Sequence, residues 1–508
     1  MKKNRLLARL FAGLLLAVAS LSLTACSTVL YRIPENNYSG RPVPPSNLLE
    51  RVLVTYTTDG STGGAQILDG LKNRRGNIQN TILNWPVKSF SAAYPSQIFN
   101  FPEEMRGYVL SQTDGVVSTI DYSTEAGLGA LTTLGANPSP SVAPSGTRVL
   151  AGVQGGLIEV YDSGNTYALS LPNVYKTVIN AGNTILLAMV RNSDSLYRVI
   201  KLPQSATPTA PPGAVDCQPI NVPVFCVVPV KGTFDRPYDA YFSLNGNQVY
   251  VLNCGPECGG STAGVSVLTP GSLHVDVIPT EDPISSSADS SMVTLPVANP
   301  IPVPGGVTIA RQDSNNNLYL AGQQMQTSGT HAGLFAGNLS VLNLTTYTVG
   351  NPVSISDGTH NRILLADDST LWVGATQCAT GVRAATATEE LASQGYTDQA
   401  GDYNCLTRVS LSGTTPSATI IPQVVQSNVS SVSAVTVGYP NTDQNEYYYG
   451  NLTGLCWVQN YNKVYTAYGG QVHAFNTADG SEIDNFYFTI PATALDVAYM
   501  DALTNAAN

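Results

Sequence analysis

The stretch NKVYTAYGGQVHAFNTADGSEI, residues 462–483, alternates apolar and polar positions in two short runs on either side of a glycine pair, which is the period of a half-buried strand hairpin. The first run recurs as ERVLVTY (50–56), RGYVLSQ (106–112), TRVLAGV (147–153), NTILLAMV (183–190), NQVYVLN (247–253), NNLYLAG (316–322) and STLWVGA (369–375). The second recurs as GVVSTIDYS, GLIEVYD, LYRVIKL, GVSVL, NLSVLNL and LTRVSLS. Between Val52 and Val464 the copies lie about 59 residues apart on average, near the length of a four-stranded repeat once insertions are allowed. A unit this small cannot bury both of its faces, so neighbours set in a ring must cover one another.

The predicted fold is therefore all-β, a β-propeller of four-stranded blades. The copies count to eight blades; seven is the alternative, because segment 57–100 is irregular. TALDVAYMDALT (493–504) reads as an inner strand with no blade after it, and ERVLVTY as a second strand without an inner partner. Pairing these two terminal strands in one sheet closes the ring and protects its open edges.

With strands lettered a to d from the axis outward, the a–b and c–d connections share one rim and the b–c and d–a connections the other. Short turns such as PSGTR, NAGNT, LNGNQ, DSNNN and ADDST fit a–b, and DSGNT, TPGS, LTTY and NTADGS fit c–d. The long segments 254–263, 323–336 and 376–405 are read as b–c connections, and 203–237, 280–303 and 425–452 as d–a connections. All six are then expected on a single rim, a loop-rich face of the kind where binding residues gather.

Two copies carry a resemblance. YDAYFSLNGNQVYVLNCGPECGGSTAGVSVLTPGSLHVDVIPT (238–280) has four strand-like runs joined by an Asn-Gly turn, a loop and a TPG turn, and resembles the YVTN-type repeat. GGQVHAFNTADGSEI is similar to a quinoprotein-type blade, and the resemblance to propeller repeats spans residues 50–500. Such propellers include lyases and lactonases whose His and carboxylate groups converge at the channel mouth. A quinone cofactor is not expected: Phe486 stands where quinoprotein blades end in tryptophan, and adjacent cysteines are absent.

Composition narrows the function. Charged residues make up 12% of the 508, about half of the usual ~25% share, and the net charge is −11. This charge and a pI near 4.8 argue against holding nucleic acid through general electrostatics, so no nucleic-acid partner is expected. The amino terminus opens with MKKNRLLAR, a short apolar run, and Leu23, Thr24, Ala25 and Cys26. This is the pattern of a cleaved signal peptide, and the tetrapeptide resembles the bacterial lipobox, which implies cleavage before Cys26 and acylation of its thiol. Ser27 follows rather than Asp, implying an outer-membrane destination. Domains are expected at 1–25 (signal peptide), 26–48 (lipidated Cys26 and a Pro-rich tether) and 49–508 (one propeller), with the membrane engaged through the anchor.

Export agrees with the cysteines. Six form sequence-local pairs, Cys217 with Cys226, Cys254 with Cys258 and Cys378 with Cys405, while Cys456 in an apolar strand is expected to be a buried free thiol. CGPEC has no second Cys/His pair at zinc-like spacing, and DSNNN (313–317) lacks the glycine and final glutamate of a calcium loop, so no metal is expected. Tyr447, Tyr448 and Tyr449, beside Asp443 and Glu446, are the candidate binding patch, suited to a glycan or an envelope protein; packing between blades is the bland reading. His331 and His360, with Glu389 or Asp398, are the candidates for a catalytic site of lactonase or lyase type, the alternative to a binding or scaffold module. VRAATATEELASQGY (382–396) reads as a helical excursion with Thr386 and Glu389 at capping-box spacing.

Overall fold

The computed structural model describes residues 42–71, 84–204, 208–276, 292–366, 369–393, 404–413, 415–421, 423–424, 436–437, 450–483, 490 and 492–505. The chain forms two units, Met1–Leu49 and Glu50–Asn508. In the first, the described part holds a turn in which Asn47 N donates to Pro44 O at 2.9 Å. Cys26, the segment before it and most of the expected tether lie outside the described residues.

The second unit is a β-propeller of eight blades. Every run read as a second strand is one: Arg51–Thr57, Arg106–Ser111, Arg148–Val153, Leu186–Val190, Val249–Asn253, Asn317–Met325, Thr370–Thr376 and Lys463–Tyr468. These strands are rich in Val, Leu and Tyr and are buried nearly throughout, because blades cover them from both sides. The core accordingly consists of separate interblade clusters, such as Leu150, Ile158, Leu186 and Val227 between blades 3 and 4, or Trp372, Leu452, Val464 and Phe475 between blades 7 and 8. In the opening stretch the hairpin turn is made by Gly469 and Gly470, at φ 60° and 79°, where a side chain would be strained. The run expected to be the fourth strand of that blade, 484–490, lies almost wholly outside the described residues.

Blade 1 contains both ends of the ring. Thr493–Tyr499 is its inner strand and pairs antiparallel with Arg51–Thr57, Val52 opposite Tyr499 and Val54 opposite Val497. Gly63–Asp69 and Asn84–Pro86 complete it, which resolves the irregular first segment and the count of blades. Arg51, 1% exposed, fixes the seam: its guanidinium reaches Asp501 at 2.7 Å, Glu125 of blade 2 at 3.1 Å and the Tyr122 carbonyl. Burial alone would lower the pKa of Arg51, but Asp501 and Glu125 together hold it above its ordinary value.

Two of the six long segments are not where the turn pattern put them. Segment 202–224 joins the third strand of blade 4, Leu196–Lys201, to its fourth, Phe225–Val230, and carries an extra edge strand, Asp216–Gln218. It is a c–d connection on the opposite rim, and the Cys217–Cys226 disulfide goes with it. In blade 5, the TPG turn does not lead into a fourth strand. Gly271–Leu273 is a short 3-10 helix, and the chain beyond it caps blade 4, with Val275 N donating to Thr184 O and Lys201 N to Val275 O. The fourth strand is Ile301–Pro302, so 269–300 is also a c–d connection. The excursions therefore divide between the rims, with 254–263, 326–334, 377–405 and 422–451 on the b–c and d–a side.

The other two expected disulfides, Cys254–Cys258 and Cys378–Cys405, lie on that side, and Cys456 is a buried free thiol. Three disulfides are typical of a chain that folds in an extracellular or periplasmic compartment. Among the described residues no helix is long and apolar enough to cross a membrane.

Candidate functional site

The b–c connections of blades 1 to 4 and 8 are short, whereas those of blades 5, 6 and 7 are long. These three are joined by side chains into one surface. In blade 5 the Cys254–Cys258 disulfide closes a 3-10 turn, Gly255–Cys258, which carries Glu257. Glu257 accepts from Gln323 of blade 6 twice, from the backbone N at 2.9 Å and from Nε2 at 3.0 Å. Gln323 Oε1 in turn accepts from Gly358 N at the entry to blade 7, at 3.0 Å. The chain of contacts thus crosses three blades.

Asp357 makes the next joint. Its Oδ1 accepts from Gly337 N of blade 6 and its Oδ2 from Arg383 N at the start of the helix Val382–Ser393, each at 2.8 Å. Gly381 permits this approach, since a Cβ there would lie 2.2 Å from Asp357 Oδ2. A carboxylate at the first turn of a helix satisfies an orphan N–H and meets the positive end of the dipole. The capping-box reading of Thr386 is corrected accordingly: Thr386 lies inside the helix, its hydroxyl donating back to Val382 O at 2.9 Å. Arg383 ties the helix further to Ile355 O and Ser354 Oγ, and Gln377 N donates to Asn451 Oδ1 ahead of blade 8.

Burial pushes the carboxyls of both Glu257 and Asp357 above their ordinary values, against the hydrogen bonds they accept. Asp357→Ala removes the acceptor for Gly337 and Arg383. Amide exchange across 382–393 is expected to rise by about tenfold or more, with the blade cores unchanged, as hydrogen-exchange mass spectrometry would show. Equal protection in the variant would mean that the helix is held by other contacts.

The histidine candidates separate. His331, on the blade 6 loop, has its Nε2 3.1 Å from Glu389 Oε1 on the blade 7 helix, so these two of the expected groups do meet. His360 is 1% exposed; its Nε2 donates to Ser356 O at 3.0 Å, and it shares no hydrogen bond with His331 or Glu389. Its Nδ1 is buried without a partner, and burial lowers its pKa to about 4. A neutral, enclosed imidazole cannot exchange protons with a substrate on the rim. Asp398 and the patch Tyr447, Tyr448 and Tyr449 lie outside the described residues. DSNNN is an a–b turn in which Asp313 Oδ1 accepts from Asn315 N and Asn317 N, each at 2.8 Å.

Pattern reading missed the charged groups of the inner strands. Lys176 of blade 4 pairs with Asp239 of blade 5 at 2.6 Å, and Arg362 of blade 7 with Asp496 of blade 1 at 3.3 Å. A charge inside an otherwise apolar first strand was the available signal, as in TALDVAY.

No protein-family model matches the sequence, nor does any curated protein. Among solved structures, the dihydro-heme d1 dehydrogenase NirN is 12% identical, with 92% of this chain and 80% of that one covered and a TM-score of 0.49. AztD of Citrobacter koseri is 9% identical over 89% and 98% of the two chains, with a TM-score of 0.45. The Dos1 propeller is 10% identical over 80% and 88%, also with a TM-score of 0.45. At such identities and scores these likenesses carry nothing about ligand or partner, and the propeller assignment rests on this chain's own strand order.

Proposed function

We propose that the protein is an exported binding or scaffold module, held to the cell envelope by lipid on Cys26, whose working face is the joined excursions of blades 5 to 7 with the tyrosine segment 447–449 ahead of blade 8. The observation that supports this reading is the Glu257–Gln323–Gly358 and Asp357–Arg383 network. Loops without a shared task have no need of common buried contacts, whereas a surface ordered before its partner arrives loses less entropy on binding. The partner in this reading is an envelope protein or a glycan, and Tyr447 to Tyr449 supply the aromatic faces that either would use. An outer-membrane destination follows from Ser27 after the lipidated cysteine.

Crosslinking capture on intact cells tests the reading. Three forms are compared: wild type, a variant with 382–393 replaced by a short linker between Cys378 and Cys405, and Ile220→Ser with Val222→Ser on the opposite rim. A partner should be captured by wild type and by the opposite-rim variant and be lost, by at least about tenfold, from the helix variant. Identical capture by all three forms would refute the assignment of this face. The Tyr447–Tyr449 triple alanine variant then reports whether that segment belongs to the same surface.

A further inference from the structure

Separate from the rim, the axis of the ring holds a cavity of about 240 Å³ walled by the inner strands of blades 1, 2, 6, 7 and 8. At ~30 Å³ per water it has room for about eight waters, or for one ring molecule of about a dozen non-hydrogen atoms. Ile98, Ile309 and Leu455 form apolar parts of its wall, and Gln97, Asn361, Arg362 and Asp496 supply the polar groups.

The local backbone explains how two neighbouring polar residues come to share one wall. In a regular strand Asn361 and Arg362 would point to opposite faces. The strand Thr359–Ala366 has a register shift between His360 and Arg362, so Asn361 is the extra residue of a bulge, and both residues border the cavity.

Their hydrogen bonding is incomplete in a complementary way. Asn361 Nδ2 donates to Leu452 O at 3.1 Å, but its Oδ1 is buried with no donor. Arg362 gives one N–H to Asp496 and one to its neighbour's carbonyl, Asn361 O, at 3.1 Å, which leaves further N–H groups for an acceptor. The Gln97 amide makes no hydrogen bond to the described residues and adds a donor and an acceptor. A guest that both donates and accepts at adjacent atoms would satisfy Arg362 and Gln97, and hydroxyl groups on neighbouring carbons do so.

Charge limits the guest further. Asp496 is 5% exposed at its side chain, and its oxygens are held by Ile98 N at 2.8 Å, Val497 N at 2.9 Å and Arg362. The Arg362–Asp496 pair is thus neutral as a unit, and a neutral guest leaves that balance undisturbed. We propose that this cavity binds a neutral, polyhydroxylated molecule of monosaccharide size, with Arg362 and Gln97 engaging adjacent hydroxyls. Arg362, the cation at the wall, makes a small anion the competing guest.

Saturation-transfer NMR and calorimetry on the full chain separate the two, using glucose, galactose, N-acetylglucosamine and myo-inositol beside glucuronate and inorganic phosphate. At least one neutral compound is expected to bind, and Arg362→Met should weaken it at least tenfold. Gln97→Ala changes a half-buried side chain without intramolecular bonds, so it should weaken binding several-fold while leaving the melting temperature in place. Leu455→Trp, which fills the cavity, should abolish binding, and the linker variant of 382–393 should not affect it. Absence of binding by every neutral compound, stronger binding of glucuronate or phosphate, or binding indifferent to Arg362 and Gln97 would each overturn the proposal.

Discussion

Arg51→Ala is expected to destabilise the propeller by about 3–5 kcal/mol, more than any other single side-chain truncation at the seam. The guanidinium is 1% exposed and its two carboxylate partners 5% and 2%, so its removal takes the compensating charge from two buried acidic groups and a donor from the Tyr122 carbonyl. The matched control is Arg148→Ala. Arg148 pairs with Asp162 at 3.1 Å, but Asp162 keeps Lys201 as a second partner at 2.5 Å, so the expected loss there is about 1 kcal/mol or less. Urea unfolding of both variants checks the difference. Equal midpoints would show that the paired terminal strands hold without the ion cluster.

The second large effect is a dependence on acidity that belongs to His360. Its pKa is near 4 in the folded chain and 6.5 in the ordinary state, because burial penalises the imidazolium. Between these values the unfolded chain binds a proton that the folded one refuses. Stability is therefore lost as pH falls from 6.5 towards 4, by about 3 kcal/mol in total. Glu257, Asp357 and Asp496 act in the opposite sense: burial raises their folded pKa values, so each adds stability as the pH falls through its own raised value. The net slope mixes the two effects, and the measurable quantity is the difference between wild type and His360→Gln. Urea midpoints taken from pH 7.5 to 4 should converge for the two proteins as the pH falls, since the variant lacks the imidazole cost. Parallel profiles would mean that the site relaxes to admit water and proton.

Much of this architecture was legible because a blade's middle strands obey local rules. Each lies between two partners and under two neighbours, so NTILLAMV or NQVYVLN announces itself by composition alone. The seam was legible for a similar reason, since ERVLVTY and TALDVAY each lacked a partner at opposite ends of the chain. Outer strands carry a weaker signal. After LYRVIKL the chain runs through a proline-rich insert before FCVVPV, and only long-range pairing shows that FCVVPV belongs to the same blade. SLHV after the TPG turn has the alternation of a fourth strand, yet it pairs with Thr184 and Lys201 of the preceding blade. Alternation reports that a segment is half-buried, not which edge it joins.

The same limit applies to the sites. His331 and Glu389 are 58 residues apart in sequence, and their approach depends on the Asp357 contact that aims the helix. His360 offered the same residue type as His331 with the opposite meaning, because one faces the rim and the other is enclosed. The cavity residues escaped notice because a bulge reorients Asn361, and a bulge leaves no distinctive mark in THNRILLA.

The pairing of Arg51–Thr57 with Thr493–Tyr499 makes the first blade the last to be finished. Arg51 meets Glu125 in the neighbouring blade, but its second carboxylate, Asp501, lies 450 residues later. A copy cut short by early termination or nicked near its carboxyl end keeps seven blades' worth of sequence but presents a raw strand and a cation short of one of its two carboxylates. An open strand edge is a template for pairing with another chain, so closure of the ring is also its guard against self-association.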